Sequence, residues 1–353
     1  MPIVPPRTAA TLSRRAVGRL LLGAATLGAA SGGRARAQGN TAIRFALDWR
    51  LEGPSAPFLI AQEKGYFGVE GLDVTIEAGN GARAMVQRMG AGQLDAGFGD
   101  VNALIRYRDE NPSADLKAVM MVYDRPAFAV IGRKSRGITA EPASLEGKKI
   151  GAPAGDVSFA QWPLFKTLNK IDDSKIKLET VGFPVREPML ASGEIDAAFG
   201  FGASSYVSLK ARGVPTDDIV LMWMADHGLE LYGSTVMIGP KLLTERPEAV
   251  RGLVRAIMRG IRDAIVNPTF AAQLVVRRNE ATQAEIERER LDMVIAQNML
   301  TPHVKAHGFG GIDQERWGRA LDQLALAAPF RDKARAGDAF SDAYLPPAGE
   351  RMF

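Results

Sequence analysis

From Thr41 onward, short runs rich in apolar, β-branched and aromatic residues alternate with longer stretches whose apolar positions recur at helical spacing. The pattern predicts strands over 43–49, 72–78, 94–99 and 116–123, separated by helices over 56–67, 82–89 and 101–110. A second series comes next, with strands over 149–152, 176–181 and 195–201 and helices over 158–168, 187–192 and 205–212. Such alternation implies an α/β architecture with mostly parallel sheets. Two more extended runs, 128–132 and 234–238, lie between and after the series and read as the chain crossings between two lobes. Beyond Pro240 the spacing becomes helical over 247–267, 269–279, 283–298 and 314–327. Leu253, Ile257, Met258, Ile261 and Ile265 form a core-facing stripe there. The end, 329–353, holds glycine, adjacent prolines and mixed charge, and reads as an extended tail.

The two series share a repeated phrase. GAGQLDAGFGD begins at Gly90 and ASGEIDAAFGF at Ala191. Aligning Gly92 with Gly193 superposes Asp95 on Asp196, Ala96 on Ala197, Phe98 on Phe199 and Gly99 on Gly200. Each copy closes a helix with a glycine turn and opens a buried strand, so each lobe is expected to repeat one architecture.

Length and composition fit two lobes: 353 residues, 46% hydrophobic and 24% charged. The net charge of +4 suggests an anionic partner until its location is considered. Residues 1–37 carry Arg7, Arg14, Arg15, Arg19, Arg34 and Arg36 and no acidic residue. Removing those six from 44 basic residues leaves 38 against 40 acidic, a net of −2. No nucleic-acid partner is expected. The leader also has an apolar run over 20–30 and a small-residue exit at Ala35-Arg36-Ala37, which reads as an export signal; Arg14-Arg15 resembles a twin-arginine motif. The run is shorter than the ~18–20 residues a membrane span needs. With no cysteine, disulfides and thiolate chemistry are excluded. Of the three histidines, His303 and His307 stand at i, i+4 without the glutamate of a zinc motif, and neither a metal site nor a cofactor is expected.

The segment LDWRLEGPSAPFLIAQEKGYFGVEGLDVTIEAG, Leu47 to Gly79, carries a family resemblance. Asp48-Trp49 at a strand end, then Lys64-Gly65-Tyr66-Phe67 closing a helix, then Glu70-Gly71-Leu72-Asp73-Val74, resemble substrate-binding proteins of ABC importers. The class is that of nitrate, sulfonate and taurine receptors, in one superfamily with thiamine-pyrimidine-precursor receptors. The resemblance implies a two-lobed periplasmic binding protein fold of type 2, with a ligand cleft between the lobes. Lobe I would comprise 41–130 plus 235–328, lobe II 131–234, with 1–37 the signal and 329–353 the tail. It also implies a monomeric, exported, non-enzymatic receptor that passes a small molecule to an ABC permease and ATPase. In the related pyrimidine synthases an Asn-rich stretch with a histidine comes after Asp-Trp. Here the sequence is Arg50-Leu51-Glu52-Gly53-Pro54-Ser55-Ala56-Pro57, with no histidine and no cysteine-rich motif, which disfavours the enzyme.

In open α/β sheets ligands sit outside the carboxyl ends of strands, near helix N-termini. Those ends are Asp48-Trp49, Asn80-Gly81, Asp100-Val101-Asn102 and Tyr123-Asp124 in the first lobe. In the second they are 155–158, 184–186 and 201–204. Trp49 offers a stacking face; Asp48 is either an acceptor for a ligand N–H or a helix cap. Asn80 and Gly81 open a helix, as an amide site or a plain cap. Asp100 is acidic where an oxyanion receptor would carry a neutral hydroxyl. Arg186 is the opposing signal, a partner for a carboxylate or sulfonate, or else a surface pair with Glu187. Asp156, Ser158, Phe159 and Phe201 join the set from the second lobe, with Phe159 either cleft wall or core and Trp162 core. Asn102, Tyr123 and Tyr232 complete it. The expected ligand is a small polar, aromatic or heterocyclic molecule resembling the thiamine pyrimidine, with a sulfonate, taurine or nitrate as the alternative.

Overall fold

The computed structural model describes residues 39–353 and the first three. The expected export signal falls outside the described residues. In chain order the strands are β1 (Thr41–Leu47), β2 (Leu72–Glu77), β3 (Ala96–Asp100), β4 (Lys117–Met121), β5 (Phe128–Arg133), β6 (Lys149–Pro153), β7 (Lys177–Val181), β8 (Ala197–Phe201), β9 (Ile219–Trp223) and β10 (Ser234–Ile238). They form two five-stranded sheets, ordered β2-β1-β3-β10-β4 and β7-β6-β8-β5-β9.

The sheets repeat one topology. In the first, β1 runs parallel to β2 and β3 while β10 is antiparallel to β3 and β4. In the second, β6 runs parallel to β7 and β8 while β5 is antiparallel to β8 and β9. Each sheet thus receives its antiparallel strand immediately after the chain arrives from the other. The runs 128–132 and 234–238 are therefore sheet members with neighbours on both sides. The changes of sheet occur just before them, in 122–127 and 224–233. Their apolar, β-branched character fits interior strands buried on both faces. β9 is a strand that the pattern did not assign.

The repeated phrase has the same mechanics in each sheet. Gly92 and Gly193 take positive φ, +71° and +81°, and end their helical segments. Asp95 then accepts the backbone N–H of Arg44 in β1 at 2.9 Å, and Asp196 accepts that of Lys149 in β6 at 2.9 Å. Each carboxylate also pairs with an arginine, Arg44 and Arg136 respectively.

Helices cover the sheets. Leu253, Ile257, Met258 and Ile261 of Pro247–Val266 are buried, as their spacing requires. That helix lies against Ala56–Glu63 so closely that a Cβ on Gly260 would stand 2.1 Å from the Pro57 carbonyl oxygen. The helix Ala284–Val294 ends in a π turn over Ile295–Met299, whose Asn298 amide donates to the carbonyls of Arg125 and Pro126 at 3.1 Å. This ties the C-terminal helices to the first change of sheet. The tail is not purely extended: Lys333–Gly337 is helical, and Phe340 bridges Ala118 on the free edge of β4. An unpaired strand edge is thereby covered.

Gly260→Ala is expected to destabilise the protein by about 1–3 kcal/mol through overpacking of the two helices. Gly318→Ala, in the middle of Gln314–Ala327 with open space at its Cβ position, should stabilise it by roughly 0.5–1 kcal/mol. Urea denaturation of both variants, read as shifts in midpoint of opposite sign, checks the packing.

Candidate functional site

Leu47 pairs with Phe98 and Ser234 with Asp100, which brings the carboxyl ends of β1 and β3 level with each other. Gly99 makes room for the Asp48 side chain. A Cβ there would lie 2.9 Å from Asp48 Cβ and 3.0 Å from its Oδ2, so only glycine lets the Asp48 carboxyl settle against β3. The Asp48 side chain is buried, and Oδ2 has no hydrogen-bond partner. Neighbouring Trp49 has a buried, unpartnered Nε1–H. Asp100 instead caps Val101–Glu110, accepting from the Ala103 N–H at 3.0 Å and from the Asn102 amide at 2.7 Å. Asn102 also donates to the Tyr232 carbonyl at 2.8 Å.

Above Asp48 lies a small cavity that both lobes line. Its walls include Phe98, Tyr123 and Ala127 from one side and Phe201, Ala203 and Ser204 from the other. The lobes meet directly around it. The Ser204 hydroxyl donates to Glu52 Oε2 at 2.6 Å, and the Trp49 ring stands edge-on to Phe183 at 4.9 Å and to Phe201 at 6.0 Å. On the far side of Trp49 the cleft widens into an outer space lined by Arg83, Gln87, Tyr107, Glu110, Phe159 and Gln161 among others.

Second-lobe candidates divide by what their side chains touch. Asp156 caps Val157–Ala160 and pairs with Arg186 at 3.1 Å. Arg186 is not a surface residue: it is buried, and its N–H groups reach Glu187, Asp156, the Phe199 carbonyl and the Ser205 hydroxyl. Every donor of the guanidinium is engaged, leaving none for a ligand anion. Gly200, the counterpart of Gly99, clears this position, since a Cβ there would lie 2.8 Å from Arg186 Nη1. The Ser158 hydroxyl donates to the Gly200 carbonyl at 2.9 Å and so faces its own sheet. Phe159 packs on Phe199 at 5.2 Å and borders the outer cleft, while Trp162 is core.

Asn80 is exposed; Gly81 occupies the helix cap at φ +110° and donates its N–H to the Asp48 carbonyl at 2.7 Å. Tyr232 lies between Trp317, at 5.9 Å, and the Arg316 guanidinium, at 4.1 Å, away from the cavity. Glu52 and Phe183 enter the site without a distinct sequence signal. Glu52 is placed by the buried Glu287 carboxylate, which accepts the Gly53 N–H at 2.6 Å across 234 residues of sequence.

The electrostatics derive from burial. Removal from water, reinforced by the neighbouring Asp100 charge, pushes the Asp48 carboxyl up to about 8. Burial likewise lifts Asp100 to about 7, against the hydrogen bonds from Asn102 and Ala103. Burial also raises Asp156, outweighing the pull of Arg186, whereas the same guanidinium and the Ser205 hydroxyl hold Glu187 below its ordinary value despite burial.

Between about pH 4, where an unfolded aspartate releases its proton, and pH 8, the folded chain therefore holds protons that the unfolded chain does not. Stability contributed by these groups is complete below that window and declines as pH rises through it. Thermal unfolding of the ligand-free protein should show a melting temperature that falls from pH 5 to pH 8.5, with a shallower fall in Asp48→Asn.

Residues 53–271 match the family described as NMT1/THI5 like. Among curated relatives, the riboflavin-binding protein RibY of Chloroflexus aurantiacus is 24% identical over 302 residues, covering 82% of either chain. The formylaminopyrimidine-binding protein of Halalkalibacterium halodurans is 26% identical over 308 residues, 85% of this chain and 89% of that one. A 4-amino-5-hydroxymethyl-2-methylpyrimidine phosphate synthase of Aspergillus parasiticus is 26% identical over 239 residues, 65% and 68% of the two chains. Among solved structures, the periplasmic aliphatic sulphonate-binding protein SsuA of Escherichia coli superposes with TM-score 0.66 at 13% identity, covering 87% of this chain and 94% of that one. The periplasmic nitrate-binding protein NrtA of Synechocystis PCC 6803 gives 0.63 at 12% identity, with 88% and 89% covered. The chain belongs to the NMT1/THI5-like family and has the two-lobed fold of periplasmic binding proteins.

Proposed function

We propose that this protein is an exported, non-enzymatic solute receptor that closes two lobes, 41–130 with 235–328 and 131–234, around one small planar heterocycle. It works as a monomer without cofactor and delivers the ligand to an ABC permease and its ATPase. The observation that carries the reading is the cavity between the lobes, aromatic on its walls and bordered by Asp48 and Trp49, whose Oδ2 and Nε1 are buried without a partner on the chain. Buried polar atoms of native proteins have partners, on the chain, in water or on a ligand, and two orphans side by side at one cavity favour a ligand that supplies them. Relatives named for riboflavin and formylaminopyrimidine, both planar nitrogen heterocycles, support the same class. Export rests on the leader, and the periplasmic neighbours are consistent with it. Among the described residues no helix is long and apolar enough to cross a membrane.

The organic-anion alternative requires an available cation. Arg186 is fully engaged, and Arg50 lies over Trp49 at 4.8 Å with its Nε 3.8 Å from Glu52. The synthase alternative requires a reactive group at the cavity. His227 packs against Phe165, and His303 stacks on His307 in a groove near Arg125 and Thr301, so neither cluster reaches the cavity lining.

Titration calorimetry with riboflavin, 4-amino-5-hydroxymethyl-2-methylpyrimidine and ethanesulfonate tests the assignment. A heterocycle should bind and the sulfonate should not. For the heterocycle that binds, Trp49→Ala should cost about 1–2 kcal/mol of affinity through lost aromatic contact. Ser204→Ala should cost roughly 1 kcal/mol by removing the hydrogen bond that joins the lobes. Binding of the sulfonate alone would return the site to the anion class.

A further inference from the structure

A receptor that closes on its ligand has to swing its lobes, and the chain crosses between them twice, in 122–127 and 224–233. The carbonyls along these crossings show which lobe holds each residue. In the first crossing the Asn298 amide holds the carbonyls of Arg125 and Pro126 at 3.1 Å, and the Thr301 hydroxyl donates to Asp124 Oδ2 at 2.5 Å. The next carbonyl, that of Ala127, accepts at 2.9 Å from the N–H of Gly202, which opens the second-lobe helix Gly202–Ala211. In the second crossing the His227 carbonyl accepts from Asn169 of the second lobe at 3.1 Å. The Gly228 carbonyl accepts from Gln323 of the helix Gln314–Ala327 at 2.8 Å, and Gln323 Oε1 receives the Glu230 N–H at 2.9 Å. On each crossing the attachment changes lobe across a single peptide junction.

Arg316 joins the two crossings. Its Nη2 donates to the carbonyls of Asp124 at 2.6 Å and Leu231 at 2.9 Å, its Nε to that of Glu230 at 3.2 Å, and its Nη1 to Asp124 Oδ1 at 3.0 Å. One planar fork thus serves acceptors on both crossings, which the compact ammonium of a lysine does not reproduce. The helix that carries Arg316 is anchored in the first lobe. Arg106 of Val101–Glu110 donates to its Leu324 and Ala328 carbonyls, and Trp317 Nε1 donates at 2.9 Å to Gly337 of the short helix packed on Val101–Glu110. Gln314–Ala327 also touches Trp162–Leu168 of the second lobe, through apolar side chains of one cluster, a contact without fixed direction.

The junctions themselves suit a pivot. Gly228 takes φ +88° with open space at its Cβ position, and hinges are a few loop residues that absorb a change of backbone angle. What spans the second junction is weak: the Leu229 N–H to the Met224 carbonyl at 3.3 Å, and a surface ion pair of Arg125 with Asp226. Away from the junctions the lobes meet side chain to side chain, Ser204 on Glu52 and Lys210 on Glu289, contacts that part when the lobes separate.

Given the receptor reading, we infer that Arg316 is a positioning residue for lobe motion: it clasps both crossings to the first lobe and confines the swing to two junctions, Pro126–Ala127 and His227–Gly228. The moving lobe then spans 127–227. β5 travels whole with the second lobe and β10 stays whole with the first, which shifts both lobe bounds upstream of 130 and 235.

The chain has no cysteine, so Asp73→Cys and Lys177→Cys, exposed and one in each lobe, place a unique pair of spin labels. Double electron–electron resonance on the ligand-free full chain reads the spread of lobe positions. Arg316→Met should give a broader distribution than the labelled parent, since each net hydrogen bond lost shifts a two-state population by about fivefold. Arg316→Lys should fall between the two. Gln323→Ala and Asn298→Ala, which release one crossing each, should broaden the distribution less than Arg316→Met. Arg255→Met is the control: it removes an ion pair with Glu70 inside the first lobe and should lower the melting temperature without broadening. Distributions as narrow as the parent's in Arg316→Met and Gln323→Ala, or equal broadening in Arg255→Met, would overturn the clasp. If Arg316→Met does not fold, Gln323→Ala decides by the same reading, because its side chain is partly exposed and its loss leaves the core intact. The receptor reading is tested apart. Riboflavin or 4-amino-5-hydroxymethyl-2-methylpyrimidine should shift the parent's distribution; if neither does, that reading fails while the ligand-free distributions still decide the clasp.

Discussion

A carboxylate removed from water needs either a cation or a set of N–H donors, and the buried Asp48 carboxyl has an oxygen, Oδ2, with neither. Its position is not an accident of a flexible loop. The backbone N–H of Asp48 donates to Phe98 in β3, its carbonyl accepts from Gly81, and the absence of a Cβ at Gly99 leaves the space its carboxyl occupies. Two stretches of the chain, at Gly81 and at Phe98-Gly99, hold this one group in a place where it is electrostatically unsatisfied. The rest of the cleft can be understood from that constraint. Beside it the second lobe meets the first, Phe201 against Trp49 and Ser204 on Glu52, and Glu52 is held in reach of Ser204 by Glu287.

The second lobe answers the same geometric problem in the opposite way. Gly200 opens a space equivalent to that of Gly99, but a guanidinium occupies it, and Arg186 is compensated by Asp156 and Glu187. A fully paired buried cluster fixes structure without offering an interaction. Two lobes of like topology thus differ at equivalent positions: the Arg186 cluster is fully paired, and Asp48 Oδ2 is not. Within a fold shared with the sulphonate- and nitrate-binding neighbours, the two lobes thus differ in what fills the space each glycine opens.

Much of the architecture was legible because it depends on local periodicity. The helix over 314–327 and the strand 234–238 have the bounds their patterns predict, and the repeat announced itself through glycines and aspartates that backbone geometry demands. Asp48 and Trp49 were legible as a strand end. What pattern does not carry is the partner of a side chain. Arg186 reads equally well as a ligand contact, a surface pair or a buried pair, and only tertiary packing beside Gly200 decides. Ser158 sits at a helix start yet turns its hydroxyl toward β8, and Tyr232 precedes β10 yet packs beneath Arg316. Glu52 escaped because its placement comes from Glu287, a contact with no local signature. β9, Ile219–Trp223, is a short apolar run of the same kind as β5 and β10 and was not assigned.

The measurement that bears most directly on this account is a crystal structure of the protein with the small molecule it binds. The account places a planar ring inside the closed cavity, between Tyr123 and Phe201, with a ring or amino nitrogen within 3.2 Å of Asp48 Oδ2, roughly the outer limit for such a bond, and an acceptor facing Trp49 Nε1. A ligand seated in the outer cleft against Arg83 and Gln87, or on one lobe alone with Asp48 still unpartnered, would contradict it.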